Sequence, residues 1–586
     1  MNSFPFRLFL FTLAFLLIGS MALDAAQARG GLVVQLGAGD SAAAVRSART
    51  GRFVINVLDA DGARVQRVRA ALMKAGVYGL VSAEKLDDAK HLPYTENLVN
   101  EVAVHALGQT PLAEVFRVLV PRGFVTVSPR AGVKEAQLKA TGFEAITRAK
   151  DGGLLARKPW PGNMDSWTHS RHGASGNAVS LDTAVGPPER VRWVAAAMEE
   201  VEGLVSDEGR NFYGGVLARD SFNGLRLWHR DLMRGEVNDA NFSLPRLSGN
   251  RARPVASGKF LFAIVKGKLI ALEAATGKVA HEYSGMGEPN EVIHHRNIII
   301  ASDDKQVRAF STQTAKQLWQ HDAGDPRNLA AAEDTVSFIR GRLKRGEPAE
   351  AMAVNLQTGK VDWQASHFPW MKKVYRTVMH GEQVAYEVSS LSDHDAGNAL
   401  HVLDTKTGRL AWEKTFPPGM NHSRQARAMF TEKDLWILHG GRENTATKEG
   451  TTRALIEVSA LDPKTGKVLR TLPAGMTHCF PPVATPRYVF AGVLDLTDMK
   501  TGDIVANRIT KANCSRENGW VPANGLIYTT PKHCTCWPML RGFVAMAPAL
   551  ENSPLKTPID QVKFPLLKGS AAVDANAKNP AAADWP

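Results

Sequence analysis

A short phrase that returns seven times constrains this chain more than anything else in it. It runs as two or three apolar residues, an acidic or polar residue, a few polar residues, Thr-Gly, then apolar residues and often Trp. The copies fall at 218–228, 271–277, 309–319, 353–363, 402–412, 460–466 and 496–502. Each reads as strand, tight turn, strand, with glycine (Ala315 in one copy) where the turn needs a positive φ. Further short apolar runs lie between copies, as at 260–265, 298–301 and 435–439. A repeat of this length with about four strands per unit predicts propeller blades. The ends add one more. Residues 542–547 look like the strand before a turn with no turn after it, and 190–193 like the strand after a turn with none before it. Pairing them closes a ring of eight and removes the exposed sheet edges. The Trp residues at 193, 228, 319, 363 and 412 recur at one position of the phrase, which implies a repeated packing role.

The N-terminal part reads differently. Residues 31–36 are a short apolar strand entering Gly37-Ala38-Gly39-Asp40, residues 41–50 are helical, and 53–58 are a second apolar strand ending at Asp59. A second helix is expected over 62–75. Strand, glycine turn, helix, strand and acid form a βαβ unit in which the glycines admit a ligand close to the backbone, while Asp59 is placed to accept from ribose hydroxyls.

This stretch resembles the class I methyltransferases that use S-adenosylmethionine. The resemblance rests on 36–40, on Asp59, on the loop 91–100 and on 112–123, which resembles the helix and turn entering the next strand, 124–127. It implies Gly37, Gly39 and Asp59 as nucleotide-site positions. The match has departures: Ser41 replaces the third motif glycine, and the sheet is expected to stop after Val127. The expectation is therefore a small, degenerate Rossmann-like α/β domain over 29–150, with S-adenosylmethionine not expected as a working cofactor. Residues 151–187 are read as a linker and propeller entry, and 188–548 as the propeller.

The repeats resemble the eight-bladed propellers of pyrroloquinoline-quinone dehydrogenases and the outer-membrane assembly propeller, which binds no cofactor. The whole chain resembles exported planctomycete-type proteins that join a methyltransferase-like domain to a PQQ-like propeller. The matching segments are 167–174, 185–188 and the region from Cys514 to Trp537, and that family usually has Asp where this chain has Gly173. The resemblance implies a ligand- or partner-binding scaffold, with protein, polysaccharide or a small molecule as the bound species. The alternative it implies is a quinoprotein oxidoreductase of alcohols or sugars, which would need pyrroloquinoline quinone, Ca²⁺ held by carboxylate and amide oxygens, an Asp base and an Arg near the quinone. Methyl transfer is a further alternative. No catalytic residue is assigned. His169 and His172 are read as surface or turn residues.

The termini and the cysteines speak to compartment. Arg7, the apolar run 8–18 and Ala26-Gln27-Ala28 resemble a secretory signal peptide over 1–28, too short to span a bilayer comfortably. The mature chain is expected to be periplasmic or secreted, with no membrane span after cleavage. All four cysteines, Cys479, Cys514, Cys534 and Cys536, lie in the C-terminal part, beside His478 and His533. In an oxidising compartment this pattern suggests two disulfides, with the pairing open; a metal set or a redox pair are the other readings. No metal site is assigned. The net charge of +13 is spread along the chain and forms no block, so no specific nucleic-acid partner is expected. Residues 549–586 read as a linker or tail. Their end on Asp584-Trp585-Pro586 resembles a blade opener, so a second propeller downstream is expected.

Overall fold

The computed structural model describes residues 30–39, 41–196, 203–214, 217–230, 253–341, 349–388, 398–417, 426–440, 455–476, 481–491, 494–507, 509, 520–529, 540 and 542–550. The signal segment, Asp40, all four cysteines and residues 551–586 lie outside them. No helix among the described residues is long and apolar enough to cross a membrane.

The α/β part is one seven-stranded sheet. Its strands are β1 (Gly31–Leu36), β2 (Phe53–Asp59), β3 (Val81–Lys85), β4 (Val99–Val104), β5 (Leu119–Val127), β6 (Glu144–Arg148) and β7 (Leu154–Arg157). The spatial order is β3-β2-β1-β4-β5-β7-β6, with β7 antiparallel to β5. Helices α1 (Ser41–Arg49), α2 (Gly62–Lys74), α3 (Leu112–Val118) and α4 (Glu135–Thr141) cross between strands. The expectation that the sheet stops after Val127 is corrected: β6 and β7 complete it and carry it to Arg157, into the stretch read as linker. Both evade pattern reading, because β6 is an exposed, charged edge strand and β7 has only four residues.

The rest is a closed ring of eight four-stranded antiparallel sheets. The first strands of blades 1 to 8 are Leu204–Asp207, Val255–Ser257, Glu291–His295, Arg327–Ala332, Val374–His380, Arg427–Phe430, Val483–Ala484 and Val521–Ala523. Adjacent blades touch through several of these strands, which line the axis. Blade 8 is closed as the sequence predicts: Phe543–Ala547 pairs with Arg190–Ala195.

The phrase is a blade-to-blade joint. In Asp404-Thr-Lys-Thr-Gly408 the Asp404 carboxylate accepts from the amides of Lys406 and Thr407 and from the Thr407 hydroxyl at 2.8–3.0 Å, which sets the turn. Gly408, at φ +65°, then lies under the Trp363 ring of the preceding blade: a Cβ there would fall 2.6 Å from it. Trp363 Nε1 donates to Thr405 O at 2.7 Å. Trp193, Trp228, Trp319 and Trp412 donate to Ser221, Ala274, Leu356 and Pro463 carbonyls in the same way. The tryptophans are therefore packing residues, as the repeat implies.

Candidate functional site

The segment read as a linker closes the propeller axis. From Asp165 to Asp182 the chain meets the first strand of each blade in order. Trp167 and Ser206 exchange both backbone hydrogen bonds, at 2.7 and 2.8 Å; Ala256 N donates to Thr168 O at 2.9 Å; His294 N donates to His169 Nε2 at 3.0 Å. Ala331 N donates to Ala174 O and Met379 N to Ser175 O, both at 2.9 Å. Asn177 brackets Phe430, accepting from its N–H and donating to its carbonyl at 2.9 and 2.8 Å. Ala484 N donates to Ala178 O at 2.9 Å.

The seven donors share one position, each paired across the first hairpin of its blade with the residue five further along the chain, as Ser206↔Asn211, Ala331↔Val336 and Phe430↔Leu435 illustrate. Blade 8 has Pro522 there, paired with Ile527, and proline has no N–H to give. The segment meets this blade two residues on, where Asn524 N donates to Asp165 O and Gly525 N to Asp182 Oδ2. Its ends also meet: Asp182 accepts from Asp165 N, and Asp165 Oδ2 from Leu181 N at 2.6 Å, with His172 Nε2 2.7 Å away. The composition suits the job. Gly176 sits where a Cβ would strike Thr377 O at 2.7 Å, so the small residues let backbone approach backbone.

Among the buried side chains of this plug are a histidine and an arginine. His169 is not at the surface as expected; it is buried and, chiefly through burial, its pKa is pushed down to about 3. It is therefore neutral, accepting at Nε2 from His294 and with Nδ1 2.8 Å from Thr168 Oγ1. His172, at φ +69°, is a turn residue as expected. Arg171 is 4% exposed, and none of its three guanidinium nitrogens has a hydrogen-bond partner among the described residues. Burial, and then the charge of Arg376, hold its pKa well below the usual guanidinium range.

The glycine turn of the α/β domain is filled by its own chain. Asp59 accepts from Ala38 N and Asp61 N at 2.7 and 2.8 Å and is forked by Arg64 Nε at 3.1 Å to both oxygens. Burial alone would raise the Asp59 pKa, but these bonds hold it below its ordinary value. A Cβ on Gly37 would fall 2.9 Å from Ala106 N, and one on Gly39 2.5 Å from the His105 ring. The structure thus brings Gly37, Gly39 and Asp59 together, with the close approaches made to 105–106.

The opposite strand ends face the propeller. Asn100, at the start of β4, donates to Asp220 Oδ2 at 2.6 Å and accepts from Asn223 at 2.8 Å. Glu96 receives Arg190 at 2.6 Å and Arg192 at 3.2 Å, and Arg122 meets Glu208 at 2.5 Å. A cleft of about 640 Å³ lies between the sheet and blades 1 and 2, lined among others by Arg122, Arg157, Glu208, Arg210 and Lys259. Sequence reasoning missed the plug and Arg171, because a Gly-, Ser- and His-rich stretch without periodicity reads as linker. The coincidence of Pro522 with a blade that must be met elsewhere is a signal only once the blades are aligned.

The family described as outer membrane protein assembly factor BamB matches residues 213–369. No curated protein matches the chain. Among solved structures, quinohemoprotein alcohol dehydrogenase from Comamonas testosteroni is similar at 13% identity, covering 75% of this chain and 85% of that one, with TM-score 0.43. BamB from Moraxella catarrhalis is similar at 12% identity, covering 66% of this chain and 92% of that one, with TM-score 0.33. A SAM-dependent methyltransferase from Aquifex aeolicus is similar at 14% identity, covering 24% of this chain and 87% of that one, with TM-score 0.21. No residue role is carried over from any of them.

Proposed function

We propose that this chain is an exported, periplasmic or secreted propeller that binds a ligand or partner and performs no chemistry of its own. The observation that carries this reading is the plug, bonded to all eight blades. It takes up the axial space on the turn face of the ring and spends the inner-strand amides on the chain itself. A quinoprotein dehydrogenase would need that axis for a planar ring and for Ca²⁺ held by carboxylate and amide oxygens. The α/β domain serves as a support: its propeller-facing edge is pinned by Asn100 and Glu96, while Asp59 is engaged by Arg64 and Gly39 lies against the His105 ring.

The test is titration of the full chain with pyrroloquinoline quinone and Ca²⁺, followed by absorbance and by dye-linked alcohol and sugar oxidation. No stoichiometric chromophore and no dye reduction are expected. A one-to-one chromophore with turnover would overturn the reading in favour of the dehydrogenase.

A further inference from the structure

The charges in the wall of the cleft between the α/β sheet and blades 1 and 2 are unevenly satisfied. On the sheet side Arg122 lies in β5 at φ +63°, a backbone conformation that residues other than glycine rarely adopt. Its amide donates to Lys158 O at 2.9 Å, and its guanidinium reaches across to Glu208 at 2.5 Å, with the Trp160 ring 5.4 Å away. Strained backbone of this kind gathers at ligand-binding sites, where the surroundings hold it.

On the propeller side the first turns of blades 1 and 2 adjoin, since Gly258 N donates to Asp207 Oδ2 at 2.5 Å. Arg210 opens the second strand of blade 1 and faces the cleft. Among the described residues its guanidinium meets one carboxylate oxygen, Glu208 Oε2 at 3.9 Å, too far for a hydrogen bond. Burial holds its pKa below the usual guanidinium range. Lys259, at the turn of blade 2, has its Nζ 5.2 Å from the Phe260 ring and no ion pair among the described residues. The other charges are engaged. Arg157 pairs with Glu144 at 3.1 Å, and Asp220 accepts from Asn100 and from the amides of Phe222 and Asn223. Glu208 Oε1 takes Arg122, and Glu273 Oε2 takes the Thr276 hydroxyl at 2.7 Å. The second oxygens, Glu208 Oε2 and Glu273 Oε1, have no hydrogen bond among the described residues.

The wall therefore offers two unbonded cations for an acid group, two carboxylate oxygens for hydroxyl donors, and the apolar side chains of Phe124 and Leu227 for a ring face. Guanidinium forks match the oxygens of carboxylate and sulfate, and a walled cleft concentrates the field of its charges. Its volume of about 640 Å³ suits a small organic molecule better than a lone ion. We infer that this cleft binds an acidic sugar, a carboxylate or sulfate carried on a pyranose-sized ring, with Arg210 and Lys259 on the acid group and Glu208 and Glu273 on the hydroxyls. This rests on the binding reading above and names the place and the ligand class.

The experiment is calorimetric titration of the full chain, separately, with glucuronate, the primary sulfate ester of glucose, glucose and inorganic sulfate, at constant ionic strength in chloride. The same titrations are run on Arg210→Gln, on Lys259→Gln and, as a control, on Lys268→Gln, whose side chain pairs with Glu282 and does not line the cleft. A saturable one-to-one isotherm with at least one acidic sugar is expected, and the sugar that binds identifies the acid group. Its affinity should fall roughly tenfold or more in Arg210→Gln, several-fold in Lys259→Gln, and not in Lys268→Gln. Glucose and inorganic sulfate should each bind roughly tenfold more weakly or worse. Lys259 is an exposed turn residue, so its variant reads the site even where Arg210→Gln fails to fold. Four results would overturn the inference: no saturable binding of either acidic sugar, glucose or sulfate binding as tightly as the acidic sugar, affinity unchanged in the cleft variants, or a loss as large in Lys268→Gln. The quinone titration reads an absorbance that no sugar carries. A failed cleft therefore leaves the binding reading standing, and a bound quinone chromophore refutes that reading independently.

Discussion

The indole of Trp228 lies flat over Gly277 of the next blade: a Cβ on Gly277 would fall 2.7 Å from the ring, and Trp228 Nε1 donates to Ala274 O at 2.9 Å. The one copy of the phrase without glycine explains itself by the same relationship. Ala315 takes the turn position in blade 3 with φ +55°, and the register position that Trp228 holds in blade 1, opposite Ala218, is held in blade 2 by His281, opposite Ala271. Where no indole lies above, a methyl group is tolerated. Blade 6 varies the theme with Arg470, which donates to the Met499 and Lys500 carbonyls in place of an indole.

Substitutions at this joint should behave accordingly. Gly277→Ala should cost about 1–3 kcal/mol through overpacking and positive φ, and Trp228→Ala about 3–5 kcal/mol. His281→Trp should destabilise alone and be rescued by Ala315→Gly, with a coupling of about 0.5–3 kcal/mol in a double-mutant cycle by denaturant melts. Additive effects would show that the two positions do not meet.

This much of the fold was legible because each blade repeats the constraint. Trp, Thr-Gly and the turn acid are local, and seven copies average out accidents. Strands 144–148 and 154–157 were not legible, since Glu144, Ala145, Thr147 and Arg148 are exposed and carry no apolar alternation. The plug was illegible for another reason. Its partners lie one per blade, so nothing local marks them as neighbours. Gly37, Gly39 and Asp59 were found as a group by their spacing, but spacing cannot reveal that Arg64 forks Asp59 or that the His105 ring lies against Gly39.

His169 gives a pH dependence. Its folded-state pKa of about 3 lies below the unfolded value near 6.5, so the unfolded chain binds the extra proton between them. Stability therefore falls as pH drops from about 6.5 towards 3, by at most about 1.4 kcal/mol per pH unit from this group. His294, pushed down to about 4 by burial, adds to the slope over its own window. His169→Gln should flatten the decline in melting temperature between pH 6.5 and 4.5. An unchanged slope would mean that His169 titrates alike in both states.

The α/β domain should not bind S-adenosylmethionine at physiological concentration, because Asp59 is held by Arg64 and the turn by His105. Calorimetry showing micromolar binding that Asp59→Ala abolishes would contradict this.

The four cysteines should be oxidised in exported protein, and thiol counting under denaturing, non-reducing conditions should find close to none free. Four free thiols with stoichiometric zinc would favour the metal reading.

Closure of the ring axis by the entry segment is tested most directly by native-state hydrogen exchange at seven amides, those of Ser206, Ala256, His294, Ala331, Met379, Phe430 and Ala484. Each is bonded to the plug in this structure. All seven should exchange slowly, and Asn177→Ala, which removes both bonds to Phe430 at about 1–3 kcal/mol, should speed Phe430 most and its neighbours in blades 5 and 7 next. Fast exchange at these amides in the wild-type chain, at the rate of unbonded backbone, would contradict the account.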